Sequence, residues 1–259
     1  VPVRKEREAI AFVLEFGAAL HRVGTPAHRL EAAMEKVSKL LGLEAQIFST
    51  PTSIMAGFGP LGAQTTSLIR LDPGNVDLGR LARVDEIANA VLDRSVSVAT
   101  GAAALRGIMA APNAVSSPTM LLAHAVASGT GAQFFGGGPK EMVVGAGLGL
   151  LVGGLELAMT VGPVPSVSVF VPAAAAMVAF VAALASSVWD GVSSHVLVLA
   201  GVLPLLPGLT LTTALTEVAT KHLTSGTARL TSAGLIFVQL AFGVAFAARL
   251  GSYFAVAGP

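Results

Sequence analysis

Residues 113–259 carry eight charged side chains in 147 positions: Lys140, Glu141, Glu156, Asp190, Glu217, Lys221, Arg229 and Arg249. So few charges cannot solvate the surface of a globular domain that size, and a stretch of this kind has to face lipid. The first 112 residues hold 12 of the 16 Lys/Arg and 11 of the 15 Asp/Glu, an ordinary soluble composition. The chain therefore reads as two parts: a soluble domain over 1–112 and a transmembrane domain over 113–259. No basic, hydrophobic leader precedes the soluble part, so it is expected to lie in the cytoplasm.

The soluble part reads as α+β. Over residues 7–23, Ile10, Val13, Leu14 and Leu20 share one helical face with Gly17, which leaves room for a close neighbour. Gly24 ends that helix, and Thr25 and Pro26 follow as N-cap and first residue of a second helix that Gly42 closes. Between Glu44 and Leu71, short β-rich runs separated by Pro51 and "GPLGAQ" predict two or three antiparallel strands. A helix capped by Asn75 or Asp77 and a shorter one from Ser97 to Ala110 complete the domain.

Beyond Pro112, five runs approach the roughly 20 apolar residues needed to cross hydrocarbon. They lie near Pro118–Phe135, Met142–Val161, Ser166–Trp189, His195–Thr220 and Thr231–Leu250. The first is the least lipid-like, since it contains His124, Ser128, Thr130 and Gln133. Gly145, Gly149 and Gly153 recur every fourth residue on the second and mark a close helix contact.

The fourth run, "VLPLLPGLTLTTALTEV", contains Pro204, Pro207 and Gly208. Each proline removes a backbone donor and collides with the preceding turn, so this span is expected to be broken near its middle. At about 100° per residue, Thr210, Thr213 and Glu217 share one face after the break, with Thr216 and Thr212 extending it. A half-helix N-terminus offers unpaired N–H groups and partial positive charge to a carboxylate. The plainer alternative is a kinked helix whose threonines bond back to its own carbonyls. Glu156, Glu217 and His124 are candidate proton carriers, with Glu156 also a candidate partner for a histidine. Asp190 reads as interfacial beside Trp189.

Other chemistries find little support. Net charge is +1 and no basic stripe with interleaved aromatics appears, which argues against nucleic acid. The absence of cysteine excludes disulfides and thiolate metal sites. No nucleotide loop, paired-histidine metal motif or nucleophile elbow is present, so no cofactor, metal or enzyme activity is expected. A membrane-embedded hydrolase would have to use Asp190 and His195 alone. In "GTPAHRLE", His28, Arg29 and Glu31 stand at the top of a helix, as a solvated helix start or as an anion or partner site.

The hairpin "GTPAHRLEAAMEKVSKLLGLEAQIFSTPTSI", "DLGRLARVDEIANAV" and the broken-span segment "LPLLPGLTLTTALTEVATKHLTSGTARL" together resemble the first half of the threonine/serine exporter family. The resemblance covers essentially the whole chain. It implies a cytoplasmic N-terminal domain and proton-motive-force-driven efflux of small hydrophilic metabolites across the inner membrane. It also implies a second membrane half, supplied here by a separate subunit or by homo-oligomerisation, and a substrate that is threonine, serine or a dicarboxylate such as succinate. Pro207, Gly208 and the following threonines match the family's broken-helix segment, and His28, Arg29 and Glu31 match its N-terminal motif.

The expectation is thus an α-helical integral membrane protein with five transmembrane helices behind a small α+β cytoplasmic domain, acting as a subunit of a secondary transporter. Pro207, Gly208, Thr210, Thr212 and Thr213 are expected to bind substrate, and Glu217, Glu156 or His124 to carry a proton. The rival is a sensor or assembly subunit that does not transport and whose soluble domain binds a metabolite.

Overall fold

The computed structural model describes residues 2–72, 74, 76–111, 116–161 and 167–256. The chain divides into two compact units that interleave in sequence: Val1–Pro112 with Leu209–Thr231, and Asn113–Gly208 with Ser232–Pro259.

In the first unit, α1 (Pro2–Arg22) and α2 (Ala27–Leu40) form a hairpin. Gly24 turns it at φ +77°, and the N–H of Thr25 returns to the carbonyl of Leu20. Gly17 leaves room for Met34: a Cβ there would stand 2.3 Å from Met34 Sδ and would displace its thioether. Three antiparallel strands follow in the order β1 (Ala45–Thr50), β2 (Ser53–Phe58), β3 (Thr65–Arg70). Their period-2 pattern buries Ile47, Ile54, Ala56 and Phe58 on one face. The opposite face exposes Phe48, Met55 and Leu68, which are partnered in register across the sheet. Helices α3 (Leu78–Leu92) and α4 (Val98–Ala110) are capped by Asp77 and Ser97, whose side chains accept the N–H of Arg80 and Thr100. Phe12, Val13, Leu30, Met34, Ile54, Val84 and Leu105 are fully buried at the centre of this unit.

One cap differs from expectation. Helix α2 starts at Ala27 behind Pro26, which has no side-chain polar group, and the Thr25 hydroxyl is buried without a hydrogen-bond partner. The cap comes instead from the carboxylate of Glu217, 190 residues away, because the segment 209–231 folds with this unit.

The second unit contains α5 (Ser117–Phe134), α6 (Pro139–Val161), α7 (Val167–Val188), α8 (Ser194–Val202) and most of α10 (Leu223–Val256). Glu141 is buried and caps two helices, accepting the N–H of Gly138 at 2.9 Å and of Ser193 at 3.1 Å. Helices α5 and α6 pack closely along the glycine stripe, where a Cβ at Gly149 would lie 2.2 Å from the carbonyl oxygen of His124. Leu148, Val152, Val178 and Leu197 fill the core between α6, α7 and α8.

Among the described residues, three helical stretches are long and apolar enough to cross a membrane: Pro139–Met159, Val169–Val188 and Leu223–Leu250. The expected fourth run makes a further span if its two halves, Ser194–Leu205 and Gly208–Ala219, count as one. The break falls where the prolines require it, at a 3₁₀ turn over Leu203–Leu205 followed by extended Leu206. Helix α5, read from the sequence as the first of five spans, is not among these candidates, since His124, Ser128, Thr130 and Gln133 dilute its apolar run. The final helix starts at Leu223 rather than near Thr231, so Arg229 lies within it.

Candidate functional site

Two clusters of titratable side chains stand out, one in each unit. In the first unit, α9 (Gly208–Ala219) carries Glu217, whose side chain is completely buried. Its Oε1 accepts the N–H of Ala27 at 2.9 Å, so the carboxylate sits on the positive end of α2. Arg229 Nε lies 3.2 Å from Oε2, but the N–H does not point at that oxygen: the attraction is Coulombic and both atoms lack a hydrogen-bond partner. A buried carboxylate needs such compensation, because an unpaired one costs several kcal/mol, of order 3–5 by partner removal.

Beside it, Glu31 on α2 accepts both the N–H and the hydroxyl of Ser49 through Oε1, at 2.7 and 2.8 Å. Its Oε2 stands 3.1 Å from His222 Nε2. The other nitrogen of His222 lies 3.0 Å from the carbonyl oxygen of Thr220. The Thr220 hydroxyl lies 3.2 Å from that same nitrogen, so both ring nitrogens stand among oxygen partners. His28 lies against this ring with centroids 5.9 Å apart, and its Nδ1 is buried without a partner. His21 closes the cluster: Nε2–H donates to the carbonyl of Thr50 at 3.0 Å, and Nδ1 is buried without a partner. Burial holds the His21 pKa below its ordinary 6.5, the hydrogen bond to Thr50 opposes that shift, and the charge of Arg229 adds to it.

The second cluster joins α5 and α6. His124 Nδ1 donates to the Met120 carbonyl one turn earlier at 3.0 Å, which leaves Nε2 facing Glu156 Oε2 at 3.2 Å. Among the described residues no hydrogen bond joins the two side chains, which stand within ion-pair distance. Gly153 opens the space for this, since a Cβ there would meet the imidazole at 3.2 Å. The histidine partner expected for Glu156 is therefore His124.

The broken-span residues are less open than their pattern implied. Gly208 N–H donates to the Leu206 carbonyl at 2.9 Å. Thr212, Thr216 and Thr220 donate to the carbonyls of Leu209, Thr212 and Thr216, the back-bonding of a kinked helix. Among the described residues, Thr210 and Thr213 are partly exposed and their hydroxyls make no hydrogen bond, while Pro207 is buried. Asp190 contributes its backbone carbonyl to Lys140, and no hydrogen bond joins it to His195 among the described residues.

Comparison with known proteins decides the family. Residues 11–251 match the family model described as "Putative threonine/serine exporter", ThrE. The chain belongs to the ThrE family. Similar curated proteins include pheromone-regulated membrane protein 10 of Debaryomyces hansenii, 27% identical over 244 residues that cover 92% of this chain and 24% of that protein. The namesake from Kluyveromyces lactis is 27% identical over 243 residues, 92% of this chain and 25% of its own length. An uncharacterized protein of Schizosaccharomyces pombe is 26% identical over 246 residues, 92% and 32% of the two lengths. The chain thus spans a quarter to a third of these relatives. No solved structure matches it.

Within this ThrE chain, two residues of the "GTPAHRLE" motif stand in the first cluster. Glu31 bonds Ser49 and His222, and the His28 ring lies tilted against that of His222. Sequence reasoning flagged Glu31, His28 and Glu217 separately and missed Arg229 and His222 as their partners. The available signal was charge economy: a glutamate in an apolar run needs a cation, and Arg229 is one of four Lys/Arg after residue 112.

Proposed function

We propose that this protein is a subunit of a proton-driven secondary transporter that exports small carboxylate-bearing metabolites, threonine and serine or a dicarboxylate such as succinate. The observation that carries the reading is the His124–Glu156 pair, two ionisable side chains 3.2 Å apart between helices of the apolar unit, with His124 Nδ1 held by the Met120 carbonyl. Family membership supports export as the activity. In this reading the His124–Glu156 pair binds and releases the coupling proton. Substrate lies at the broken segment around Pro207 and Gly208, with the free hydroxyls of Thr210 and Thr213 as its polar contacts, and Thr212 shapes the helix through its back-bond. The N-terminal domain over 1–112 faces the cytoplasm, and a second membrane half, or another copy, completes the pathway across the inner membrane.

The test is transport in proteoliposomes with radiolabelled threonine, serine and succinate. Wild type is expected to show counterflow and accumulation driven by a pH gradient. His124→Asn and Glu156→Gln are expected to keep counterflow and to lose at least tenfold of the gradient-driven accumulation, the scale of one removed proton-transfer group. Wild-type accumulation by both variants would refute the assignment.

A further inference from the structure

We propose that the N-terminus of α2, together with Arg229, is a recognition site for small carboxylates, and that Glu217 occupies it as a tethered ligand which a free carboxylate competes with and displaces. The ligand class rests on the transport reading above; the site itself rests on the geometry of the first unit.

Three observations lead there. The α2 N-terminus lacks the local cap that its sequence offers, because Pro26 carries no side-chain acceptor and the Thr25 hydroxyl is unused. The acceptor is a carboxylate from α9, completely buried, with one oxygen on the Ala27 N–H and a guanidinium 3.2 Å from the other. A backbone N–H at a helix N-terminus beside an arginine is the donor set that holds a free carboxylate elsewhere. The second observation adds His21 and His28 to the groups of the first. Glu217 Oε2, Arg229 Nε, Thr25 Oγ1, His28 Nδ1 and His21 Nδ1 are all buried without a hydrogen-bond partner, and they account for five of seven such side-chain atoms among the described residues. A purely structural ion pair in a well-packed unit leaves few such atoms. Donors and acceptors in this number suit a polar solute that meets more of them than a single tethered carboxylate reaches.

The third observation is what Glu217 is attached to. It sits in the last turn and a half of α9, the helix that follows the break, so its carboxylate holds that helix to the hairpin. A metabolite carboxylate that takes over the Ala27 N–H and the guanidinium releases α9 from α2. Carboxylate concentration then sets the fraction of molecules in which α9 is held. Apparent affinity is reduced by the fraction of sites that Glu217 fills.

The experiment is calorimetric titration of the full chain in nanodiscs with succinate and with threonine. Glu217→Gln keeps an oxygen for the Ala27 N–H but removes the competing charge. It is expected to bind at least one of the two about tenfold more tightly than wild type, and Glu217→Gln with Arg229→Gln is expected to lose that gain. Unchanged or weaker binding by Glu217→Gln overturns the proposal, as does a gain that survives loss of Arg229. In parallel, acetate is expected to raise the melting temperature of Glu217→Ala by several degrees where equal chloride does not, and equal effects of the two salts also overturn it. Transport that persists when these fail removes the site and leaves the transporter reading intact. A binding gain without any transport does the reverse.

Discussion

His21 is 6% exposed, and protonating it would place a proton on Nδ1, where no acceptor waits. Burial lowers its pKa, so between that lowered value and the ordinary 6.5 the unfolded chain binds more protons than the folded one. Its contribution to stability is therefore complete above pH 6.5 and is lost as pH falls through the folded value. Melting curves of the full chain from pH 8 to pH 5 should fall in this window, and His21→Phe should flatten the fall. Glu31 makes a sharper case, because one carboxylate serves Ser49 twice and His222 once. Glu31→Ala leaves a buried strand N–H and an imidazole without their acceptor. We expect a loss of about 3 kcal/mol in denaturant unfolding, against about 1 kcal/mol for Glu31→Gln, which retains one oxygen acceptor.

At the scale of elements, the contact between α5 and α6 is set by backbone rather than side chains. A side chain at Gly149 has no room, since its first carbon would already fall 2.2 Å from the His124 carbonyl oxygen, whereas Gly147 on the next face has nothing within 4 Å. Gly149→Leu should force the helices apart and cost about 3 kcal/mol or more, while Gly147→Ala should be neutral or slightly stabilising. Melting in detergent reads both. The same separation governs the distance between His124 and Glu156, so Gly149→Leu should also reduce gradient-driven accumulation. The proline break in the fourth run behaves as its residues demand. Pro204 and Pro207 each remove a helix donor, and the chain passes through a 3₁₀ turn, extended Leu206 and Pro207 before α9 starts.

At the scale of the molecule, the decisive fact is that residues 209–231 belong to the unit formed by residues 1–112. That segment supplies the cap of α2, the partner of Glu31 and the charge beside His21. Residues 1–112 made alone should therefore be several kcal/mol less stable than the same unit carrying 209–231. Adding a peptide of residues 209–231 in trans should raise the melting temperature of the isolated domain, and no rise would mean that these contacts are energetically idle.

The sequence by itself determined what depends on neighbours in the chain. Charge depletion after residue 112 marked the apolar helices, period-2 runs marked the strands, and Gly24, Gly42, Asp77 and Ser97 marked helix ends through conformational preferences that act within a few residues. Proline placed the break for the same reason. The tertiary structure decided the rest, because it depends on which distant groups meet. Thr25 looked like the cap of α2 and was replaced by a carboxylate 190 residues away. His222 and Arg229, unremarkable in a polar stretch between apolar runs, became the partners of Glu31 and Glu217. Buried charges are stable only as assembled pairs, and the pairing is written in the packing of helices, not in the spacing of residues along any one of them.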